Sequence, residues 1–399
     1  MINLSRLLRD RRSDSDSLRY GIGEDAAASG RDRRPVVVWM STRTCNLSCR
    51  HCYSSSRDRE YPDELSTQQA VNFVRDLGAF GSPALLVSGG EPLRRPDLFE
   101  ILAEAADAGL RCTLSSNGTL IGPSEAKLIR DAGVIYVGLS LDGIGEIHDR
   151  FRGMSGAFEA TIAGIRNLKD AGQKVGLRLT LTNRTDSQLD GIFDLIVSEG
   201  IDRACFYHLV PVGRGKVADD LDPEGRRRAI ESLIDKSLWL AGARPESEVL
   251  TVGNPADAAF VYRWLEAHDP GRAAVVWPML EWNGGSAGAS GIGLGAVDSE
   301  GNVHPDQFWQ HYTLGNVKER LFSEIWSDPS EPLLAELRAE RDGGRHLPAD
   351  CQACSYLSIC GGGMRVRADR VEGSVWADDP SCFLVESERR GEPAGTALL

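Results

Sequence analysis

Short apolar runs alternate with segments of helical period over the first half of the chain. Six of these runs are long enough for a buried strand and too short for a helix, and five helical segments lie between them. Strands joined by helices in this order predict a parallel sheet with right-handed crossovers. The six runs cover residues 36–40, 84–88, 112–115, 136–141, 175–182 and 204–210. Six units are too few for a closed eight-stranded barrel, so we predict an α/β fold with an open, TIM-like (β/α)6 partial barrel.

Composition divides the chain into five predicted segments. Residues 1–34 are rich in Arg, Asp, Ser, Gly and Ala, which predicts a mobile N-terminal arm. The partial barrel follows over 35–225, and a helical, glycine-rich connector over 226–294. A small C-terminal domain over 295–384 and a disordered tail over 385–399 complete the prediction. The glycine-rich run 283–295 is either a linker or backbone that must approach a ligand closely, and its composition favours the linker.

The charge balance narrows the classes of partner. The 399 residues include 45 basic and 58 acidic side chains, a formal charge of −13. An acidic surface disfavours nucleic acid and anionic membranes, but it leaves room for an anionic small molecule in a local basic pocket. No apolar run reaches the length of a membrane span, and the N-terminus lacks the apolar core of a signal peptide. The sequence therefore predicts a cytoplasmic protein, in which nine cysteines indicate metal ligation instead of disulfides.

Three of the cysteines follow the first predicted strand on one short loop. Cys45, Cys49 and Cys52 form a CxxxCxxC pattern. Three thiolates so spaced can hold three irons of a [4Fe–4S] cube and leave the fourth iron open to a small molecule. Taken alone, the pattern also fits a zinc knuckle that lacks one ligand, or three buried thiols.

A second motif, Gly89-Gly90-Glu91-Pro92, directly follows the second predicted strand. Two glycines let the backbone approach a ligand, and the carboxylate beside them can accept hydrogen bonds from an ammonium group. An ordinary strand-to-helix turn would use the same residues. Both motifs lie at the carboxyl ends of predicted strands, which is where a barrel of this kind places its active site.

The cysteine motif, the Gly-Gly-Glu-Pro motif and the order of strands and helices together resemble the radical SAM enzymes over about residues 35–215. The resemblance implies that the three cysteines bind a [4Fe–4S] cluster, whose open iron is chelated by S-adenosylmethionine (SAM), and that Gly89 to Pro92 hold the amino group of SAM. Further SAM contacts implied by the resemblance are His51 beside the adenine, Asn117 near the ribose or carboxylate, Ser140 and Asp142 at the ribose, and Arg178 at the carboxylate. For Asn117 and Asp142 the alternative is an ordinary turn, because Asn-Gly and Asp-Gly are turn formers in any protein.

Four more cysteines near the C-terminus can bind zinc or a fully ligated cluster. Next to a radical SAM core, their spacing and the Cys-Gly-Gly-Gly run resemble the auxiliary-cluster module called SPASM. No cysteine lies between Cys205 and Cys351, so one auxiliary [4Fe–4S] cluster is expected. Cys112 and Cys205 are expected to be buried core thiols. The four expected ligands are Cys351, Cys354, Cys360 and Cys382.

Residues 303–309 and 314–317 resemble the tetrapyrrole-modifying members of the family. These are the NirJ-type proteins of heme d1 synthesis and their AhbD-type relatives, which decarboxylate iron-coproporphyrin; the N-terminal strand and the gap before the last cysteine are more NirJ-like. The resemblance implies that a 5′-deoxyadenosyl radical attacks a propionate side chain of a substrate such as didecarboxysiroheme. The alternative to a substrate contact is a solvated arginine in a turn for Arg214 and packing within the hairpin for the histidines. The candidates for catalysis are His304, Arg214 and Asp306, with His208, Trp309 and His311 as further contacts.

Two other functions stay open from the sequence. A SPASM-type maturase of a ribosomally made peptide would share both sets of cysteines; the short polar stretch before Pro35 counts against it, but recognition of the peptide by a separate protein stays open. A non-catalytic iron–sulfur or zinc protein would not need Glu91 beside intact cluster cysteines. The enzymatic interpretations require an electron donor of the flavodoxin or ferredoxin type.

Overall fold

The computed structural model describes residues 1–21, 34–340 and 346–392. Within these ranges, eleven strands form one mixed sheet in the order β1-β8-β7-β6-β5-β4-β3-β2-β9-β10-β11. Their bounds are β1 Ile2–Asn3, β2 Val36–Met40, β3 Leu85–Ser88, β4 Cys112–Ser116, β5 Tyr136–Ser140, β6 Val175–Leu181, β7 Arg203–His208, β8 Glu248–Val252, β9 Leu294–Val297, β10 Asn302–His304 and β11 Gly315–Asn316.

Helices cover the sheet and form most of the C-terminal part. The helix that begins at Thr67 opens with a capping box, in which Ser66 and Gln69 each bond to the other's backbone amide. None of the helices in the described ranges is long and apolar enough to cross a membrane. The bounds are α1 Leu4–Arg9, α2 Ser17–Tyr20, α3 Thr67–Phe80, α4 Leu98–Asp107, α5 Pro123–Asp131, α6 Glu146–Arg152, α7 Ala157–Asp170, α8 Leu189–Ser198, α9 Pro223–Ala243, α10 Ala256–His268, α11 Pro270–Asn283, α12 Phe322–Ser327, α13 Pro332–Glu340, α14 Ala349–Gln352, α15 Leu357–Cys360, α16 Arg365–Glu372 and α17 Glu386–Arg389.

The predicted partial barrel is confirmed, and it has one more parallel strand than expected. Strands β2 to β8 pair in parallel, each with the next along the chain. The six predicted runs correspond to β2–β7. The seventh strand, β8, lies inside the segment that we predicted as a connector. It was missed because it is a single five-residue strand between two helices, and no further strand continues the alternation after it.

The two faces of these strands differ in polarity. Leu85, Val87 and Leu114 are fully buried against the helices, which is where an α/β fold forms its core. The opposite face includes half-buried polar residues such as Ser88 and Ser115. Since successive side chains of a strand point to opposite faces, the polar set faces the inside of the barrel. The barrel therefore has a polar interior that solvent reaches.

The N-terminal residues pack against the barrel, which corrects the predicted mobile arm for residues 1–21. Strand β1 pairs antiparallel with β8, and Leu4 and Leu7 are fully buried. The Tyr20 hydroxyl accepts a 2.7 Å hydrogen bond from the Asn3 backbone amide. A helix of six residues is not stable alone, so its order depends on tertiary contacts that its composition does not reveal. The rest of the predicted arm, residues 22–33, lies outside the described residues.

The C-terminal part continues the barrel sheet. Strand β9 pairs in parallel with β2, and β10 and β11 extend the sheet antiparallel. The predicted boundary near residue 295 therefore falls inside one sheet. The predicted disordered tail is corrected for residues 385–392, because α17 is held there by a 2.6 Å ion pair between Glu388 and Arg227. Residues 393–399 lie outside the described part of the chain.

Candidate active site

The first cysteine loop follows β2 at the carboxyl end of the barrel. Cys45 and Cys49 are buried at 7% and 9% exposure, Cys52 is half-buried, and Met154 packs against them. Neighbouring backbone holds the loop, for example through the Ser48 amide and the Arg152 carbonyl at 3.1 Å. The three predicted thiols therefore come together in one protected loop.

Arg214 braces this loop from the segment after β7. Its backbone amide donates to the Cys52 carbonyl, and its side chain donates to the carbonyls of Cys49 at 2.8 Å and Ser56 at 2.7 Å. Gly213 next to it has φ of +61°, and a Cβ there would collide with the Cys52 and Tyr53 carbonyls. Arg214, predicted as a candidate for catalysis, thus uses two of its side-chain donors to shape the cysteine loop.

A buried ion pair reaches the same loop from the other side. Arg152 pairs with Asp142, and its Nη1 lies 3.5 Å from the Cys49 Sγ. The other Asp142 oxygen accepts a 2.7 Å hydrogen bond from the Thr180 amide. The predicted ribose contact of Asp142 stays a prediction, because both of its oxygens bond to protein donors. Arg152 carries no motif signal and was missed by the sequence analysis.

The charges around the cysteines fit an anionic iron–sulfur cluster. Burial raises the pKa of Cys45 to about 12 and also raises that of Cys49. Burial opposes ionisation of Cys52 as well, but hydrogen bonds from Ser54 and the charge of Arg214 hold its pKa below the usual value. Cluster binding requires thiolates, and the positive charges of Arg152 and Arg214 offset their negative charge. The loop therefore has the donor set and the charge that a [4Fe–4S] cluster needs.

Glu91 lies beside this loop and is fully buried. Its carboxylate accepts hydrogen bonds from the Ser116 hydroxyl at 2.9 Å and the Asn117 amide at 2.8 Å. Burial nonetheless raises its pKa to about 7. A buried carboxylate of this kind gains free energy from a cationic partner, but both of its oxygens bond to protein donors, so the role of holding an ammonium group stays a prediction.

The two glycines before Glu91 bring two loops into contact. Gly89 has φ of +135°, and a Cβ on Gly89 or Gly90 would overlap the carbonyl oxygens of Thr42 and Thr44. The Gly90 and Glu91 amides donate to these same carbonyls at 2.6 and 2.9 Å. The glycines therefore fix Glu91 against the cysteine loop, and the close approach predicted from the motif is an approach to backbone.

The other predicted SAM contacts lie at the same edge of the barrel. Asn117 donates to Asn46 of the cysteine loop at 2.9 Å. The Nε2 atom of His51 lies 3.0 Å from the Thr180 hydroxyl, and burial lowers the pKa of His51 to about 4, so its ring is neutral at pH 7. Ser140 ends β5 and is half-buried. These residues stay predictions as SAM contacts, and Arg178 lies deeper, inside the barrel, where it donates to Ser115.

The four C-terminal cysteines form a second site. All four line one cavity of about 470 Å³, a volume that includes its open mouth. Burial raises the pKa of Cys351 to about 11 and that of Cys360 further, although the Gly362 and Gly363 amides bond to the Cys360 sulfur. Arg389 reaches the Cys382 sulfur at 3.7 Å. Of the remaining two cysteines, Cys112 in β4 belongs to the hydrophobic core as expected, whereas Cys205 in β7 is buried outside that core, near Arg178.

Several predicted substrate residues are occupied by protein partners. The His304 ring is 1% exposed and lies 2.7 Å from the Tyr312 carbonyl and 3.3 Å from Asp298. Asp306 accepts from Ser290 and from the Phe308 amide. These contacts stabilise the β9–β10 region and leave neither side chain facing the barrel interior.

The further substrate candidates are also paired. His208 lies 3.0 Å from Asp257 and is buried. His311 and the indole nitrogen of Trp309 both contact Asp369, at 2.6 and 3.3 Å. Polar residues near turns give the same sequence signal whether a ligand or a protein group satisfies them, so their pairing was not visible from the sequence.

Two family models match the chain, one over the first cysteine loop and one over a segment that includes Cys351 and Cys354 and ends before Cys360 and Cys382. The radical SAM superfamily model matches residues 39–196, and the model described as an iron–sulfur cluster-binding domain, SPASM, matches residues 294–355. The chain belongs to the radical SAM superfamily and carries a SPASM domain. It is therefore an enzyme that uses SAM and a [4Fe–4S] cluster, with further iron–sulfur ligation in its C-terminal domain.

Two curated relatives resemble nearly the whole chain. The Fe-coproporphyrin III synthase of Methanosarcina barkeri is 45% identical over 97% of this chain and 98% of that protein. The pre-heme d1 synthase of Dinoroseobacter shibae is 43% identical over 89% of this chain and 87% of that protein. Among solved structures, Streptococcus suis SuiB bound to S-adenosylmethionine has a TM-score of 0.68 at 19% identity, over 90% of this chain and 80% of that chain. This last likeness shows a shared fold.

Proposed function

We propose that this enzyme modifies propionate side chains of a tetrapyrrole, with a heme d1 precursor such as didecarboxysiroheme as substrate and iron-coproporphyrin III decarboxylation as the close variant. The observation that carries the proposal is the 45% and 43% identity, over almost the entire chain, to two relatives named for the synthesis of iron tetrapyrroles. An anionic substrate also suits the barrel interior, where Arg178 forms no ion pair with any carboxylate of the described residues.

Different residues at the carboxyl end of the barrel strands hold the cluster and SAM. Cys45, Cys49 and Cys52 bind the cluster, and Glu91 holds the ammonium group of SAM. Bound together and reduced, SAM and the cluster supply a 5′-deoxyadenosyl radical that can remove a hydrogen atom from the substrate. The protein positions the side chain to be attacked and keeps water away from it, which the buried loop around Glu91 supports.

The second cysteine site completes the proposal. Cys351, Cys354, Cys360 and Cys382 bind one auxiliary [4Fe–4S] cluster, because they line a single cavity. Full ligation by four thiolates suits electron transfer better than substrate binding at iron. A flavodoxin- or ferredoxin-type protein would deliver the electron, and reduced thiols at both sites suit the cytoplasm.

The test is an anaerobic incubation of the reconstituted enzyme with SAM, dithionite and one tetrapyrrole at a time. The panel contains didecarboxysiroheme, iron-coproporphyrin III and their metal-free forms. Mass spectrometry then distinguishes conversion to iron-coproporphyrin III, loss of propionate side chains and loss of carbon dioxide. Deoxyadenosine together with one of the last two changes is the expected result. Deoxyadenosine with every tetrapyrrole unchanged would overturn the proposed substrate and direct the search to peptides.

A further inference from the structure

The Arg178 side chain lies inside the barrel, where Gly138 leaves space for it and Ser115 bonds to it. The side chain leaves β6, passes over Gly138 of β5 and donates to the Ser115 hydroxyl of β4. A Cβ on Gly138 would overlap the guanidinium group, so any other residue there would displace it. Gly138 and Ser115 therefore act together to hold a cationic group across two strands.

Uncharged hydroxyl and thiol groups surround this guanidinium, and beyond them Arg203 stacks on the Tyr136 ring and is paired with Glu248. The groups that face it are the hydroxyls of Tyr53, Tyr136 and Tyr207 and the Cys205 thiol, and burial raises the pKa of each of these tyrosines. No carboxylate of the described residues forms an ion pair with Arg178. Its Nε atom is buried without a hydrogen-bond partner, and so is the Tyr136 hydroxyl. The Arg178 residue as a whole is half-buried, and a guanidinium forms strong charge-assisted hydrogen bonds with a carboxylate, so its unpaired donor suits an anion.

The interior is reachable from the cysteine loop. Ser88, Ser115, Thr180 and Tyr207 are half-buried, although they lie in the middle of the sheet. Tyr53 follows the last cysteine of the loop, and its hydroxyl lies 3.0 Å from the Ser88 hydroxyl. Polar groups thus continue from the cluster loop to Arg178, and a carboxylated side chain can follow them inward.

Arg178 and Glu91 lie on opposite faces of β4. Glu91 bonds to Ser116, whereas Arg178 bonds to Ser115, and successive side chains of a strand point to opposite faces. The amino and carboxylate groups of SAM are attached to the same carbon atom. If Glu91 holds the amino group, Arg178 does not share the same amino-acid headgroup.

We propose that Arg178 and Tyr136 form a binding site for a carboxylate of the substrate, inside the barrel and separate from the SAM site. The assignment rests on the proposed function, and the carboxylate is then a propionate of the tetrapyrrole. A guanidinium pairs strongly with a carboxylate through two parallel hydrogen bonds, and the Tyr136 hydroxyl supplies a third donor. This replaces the expected contact between Arg178 and the SAM carboxylate.

The experiment measures two affinities in the same anaerobic protein. Iron-coproporphyrin III and didecarboxysiroheme are titrated by absorbance, with iron-coproporphyrin III tetramethyl ester as the uncharged control ligand, and SAM is measured by equilibrium dialysis. Arg178→Gln removes the charge, and Tyr136→Phe removes only the unpartnered hydroxyl, which is the safer change for folding. Arg166→Gln is the control variant, because Arg166 pairs with Glu199 on the surface. Iron content and melting temperature establish that each variant is folded.

We expect Arg178→Gln to weaken tetrapyrrole binding about tenfold or more, and Tyr136→Phe to weaken it about threefold. SAM affinity and deoxyadenosine formation without substrate should stay unchanged, and the ester should not distinguish Arg178→Gln from wild type. If the wild type binds a tetrapyrrole and Arg178→Gln binds it equally well, this assignment is overturned, but the proposed function is not. Loss of SAM affinity with unchanged tetrapyrrole affinity would also overturn it and return Arg178 to the SAM carboxylate. Failure of the wild type to bind any tetrapyrrole would overturn the proposed function and this site with it.

Discussion

The two cysteine sites are built in different ways. Cys45 and Cys49 lie on one short loop between β2 and α3, below 10% exposure, and neighbouring elements bond to the loop directly. The four C-terminal cysteines are all half-buried and lie on separate turns around an open cavity. The barrel therefore shapes the first site before any metal binds. The second site consists of short helices and loops, and metal ligation adds folding free energy to such segments.

The largest expected effect separates the two sites by activity. Cys49→Ala removes a ligand of the cluster that cleaves SAM, so deoxyadenosine formation should fall below detection. Cys382→Ala removes a ligand of the second site, and deoxyadenosine formation without substrate should stay within about twofold, because the two sites share no residue and sites without shared partners act independently. Liquid chromatography of deoxyadenosine checks both, with iron analysis as the control for cluster content.

The opposite pattern would contradict the comparison. If Cys382→Ala abolished deoxyadenosine formation while the first cluster stayed intact by electron paramagnetic resonance, the C-terminal site would be required for SAM cleavage itself. The two sites would then form one functional unit.

Glu91 gives SAM binding at the first site a pH dependence. Its pKa is raised by burial to about 7, and only the charged carboxylate attracts the ammonium of SAM. Below pH 7 the dissociation constant of SAM should therefore rise by up to about tenfold per pH unit, and Glu91→Gln should bind weakly at every pH. Equilibrium dialysis between pH 6 and 8 measures both proteins. A flat profile for the wild type would exclude Glu91 as the titrating partner.

The same residue should show a cost in stability. Glu91 has a folded-state pKa above its unfolded value of 4.5, so the folded state loses stability as the pH rises from about 4.5 to 7, and the loss is complete above 7. At pH 8 this amounts to about 3 kcal/mol. Glu91→Gln should therefore raise the melting temperature of the SAM-free protein at pH 8 and change it little at pH 4.5. An unchanged melting temperature at pH 8 would contradict the buried, ionised carboxylate.

Much of the difference between the two cysteine sites was predictable from the sequence, because the motifs consist of residues close together in the chain. The cysteine spacings and the alternation of apolar runs each lie within a few residues, so both cysteine sets and strands β2–β7 were predicted. The packing of Leu4 and Leu7 was not, because it depends on β8, more than 200 residues away in the chain. Arg152 was missed for the same reason, since its partners, Cys49 and Asp142, meet it only through the fold.

The substrate candidates stay predictions, and the partners that they have within the protein could not be seen in the sequence for a related physical reason. His304 and Asp306 lie in a run that resembles tetrapyrrole-modifying enzymes, but Asp298, Tyr312 and Ser290 satisfy them within the hairpin region. A sequence shows that a residue is polar, and only the fold shows which donors and acceptors it meets. The glycine run 283–295 likewise was predicted as a linker, whereas Gly285 packs against the Cys360 carbonyl so closely that a Cβ there would collide with it.

Arginine contacts to sulfur should affect the two clusters unequally. Arg152 is buried beside Cys49, whereas the Arg389 side chain near Cys382 is 27% exposed. Lysine keeps the charge but does not reach both partners. Arg152→Lys should lower the reduction potential of the first cluster by about 60 mV, the equivalent of one charge-assisted hydrogen bond. Arg389→Lys should lower the reduction potential of the second cluster by less than about 30 mV, because solvent screens the charge of Arg389. Redox titration followed by electron paramagnetic resonance measures both, and equal shifts would remove this distinction.

The smallest expected effect tests how the second site is held. The Ser286 hydroxyl lies within hydrogen-bond distance of the carbonyls of Gly361 at 2.7 Å and Cys360 at 3.2 Å, so it ties the glycine run to a cluster loop. Ser286→Ala should cost about 1 kcal/mol and speed the release of auxiliary iron to a chelator about fivefold. Deoxyadenosine formation should not change. Ser198→Ala is the matched control, because it removes a hydroxyl-to-carbonyl bond from the barrel surface. Equal iron release from both variants would mean that the cysteines alone hold the loop, and that the glycine run merely passes beside it.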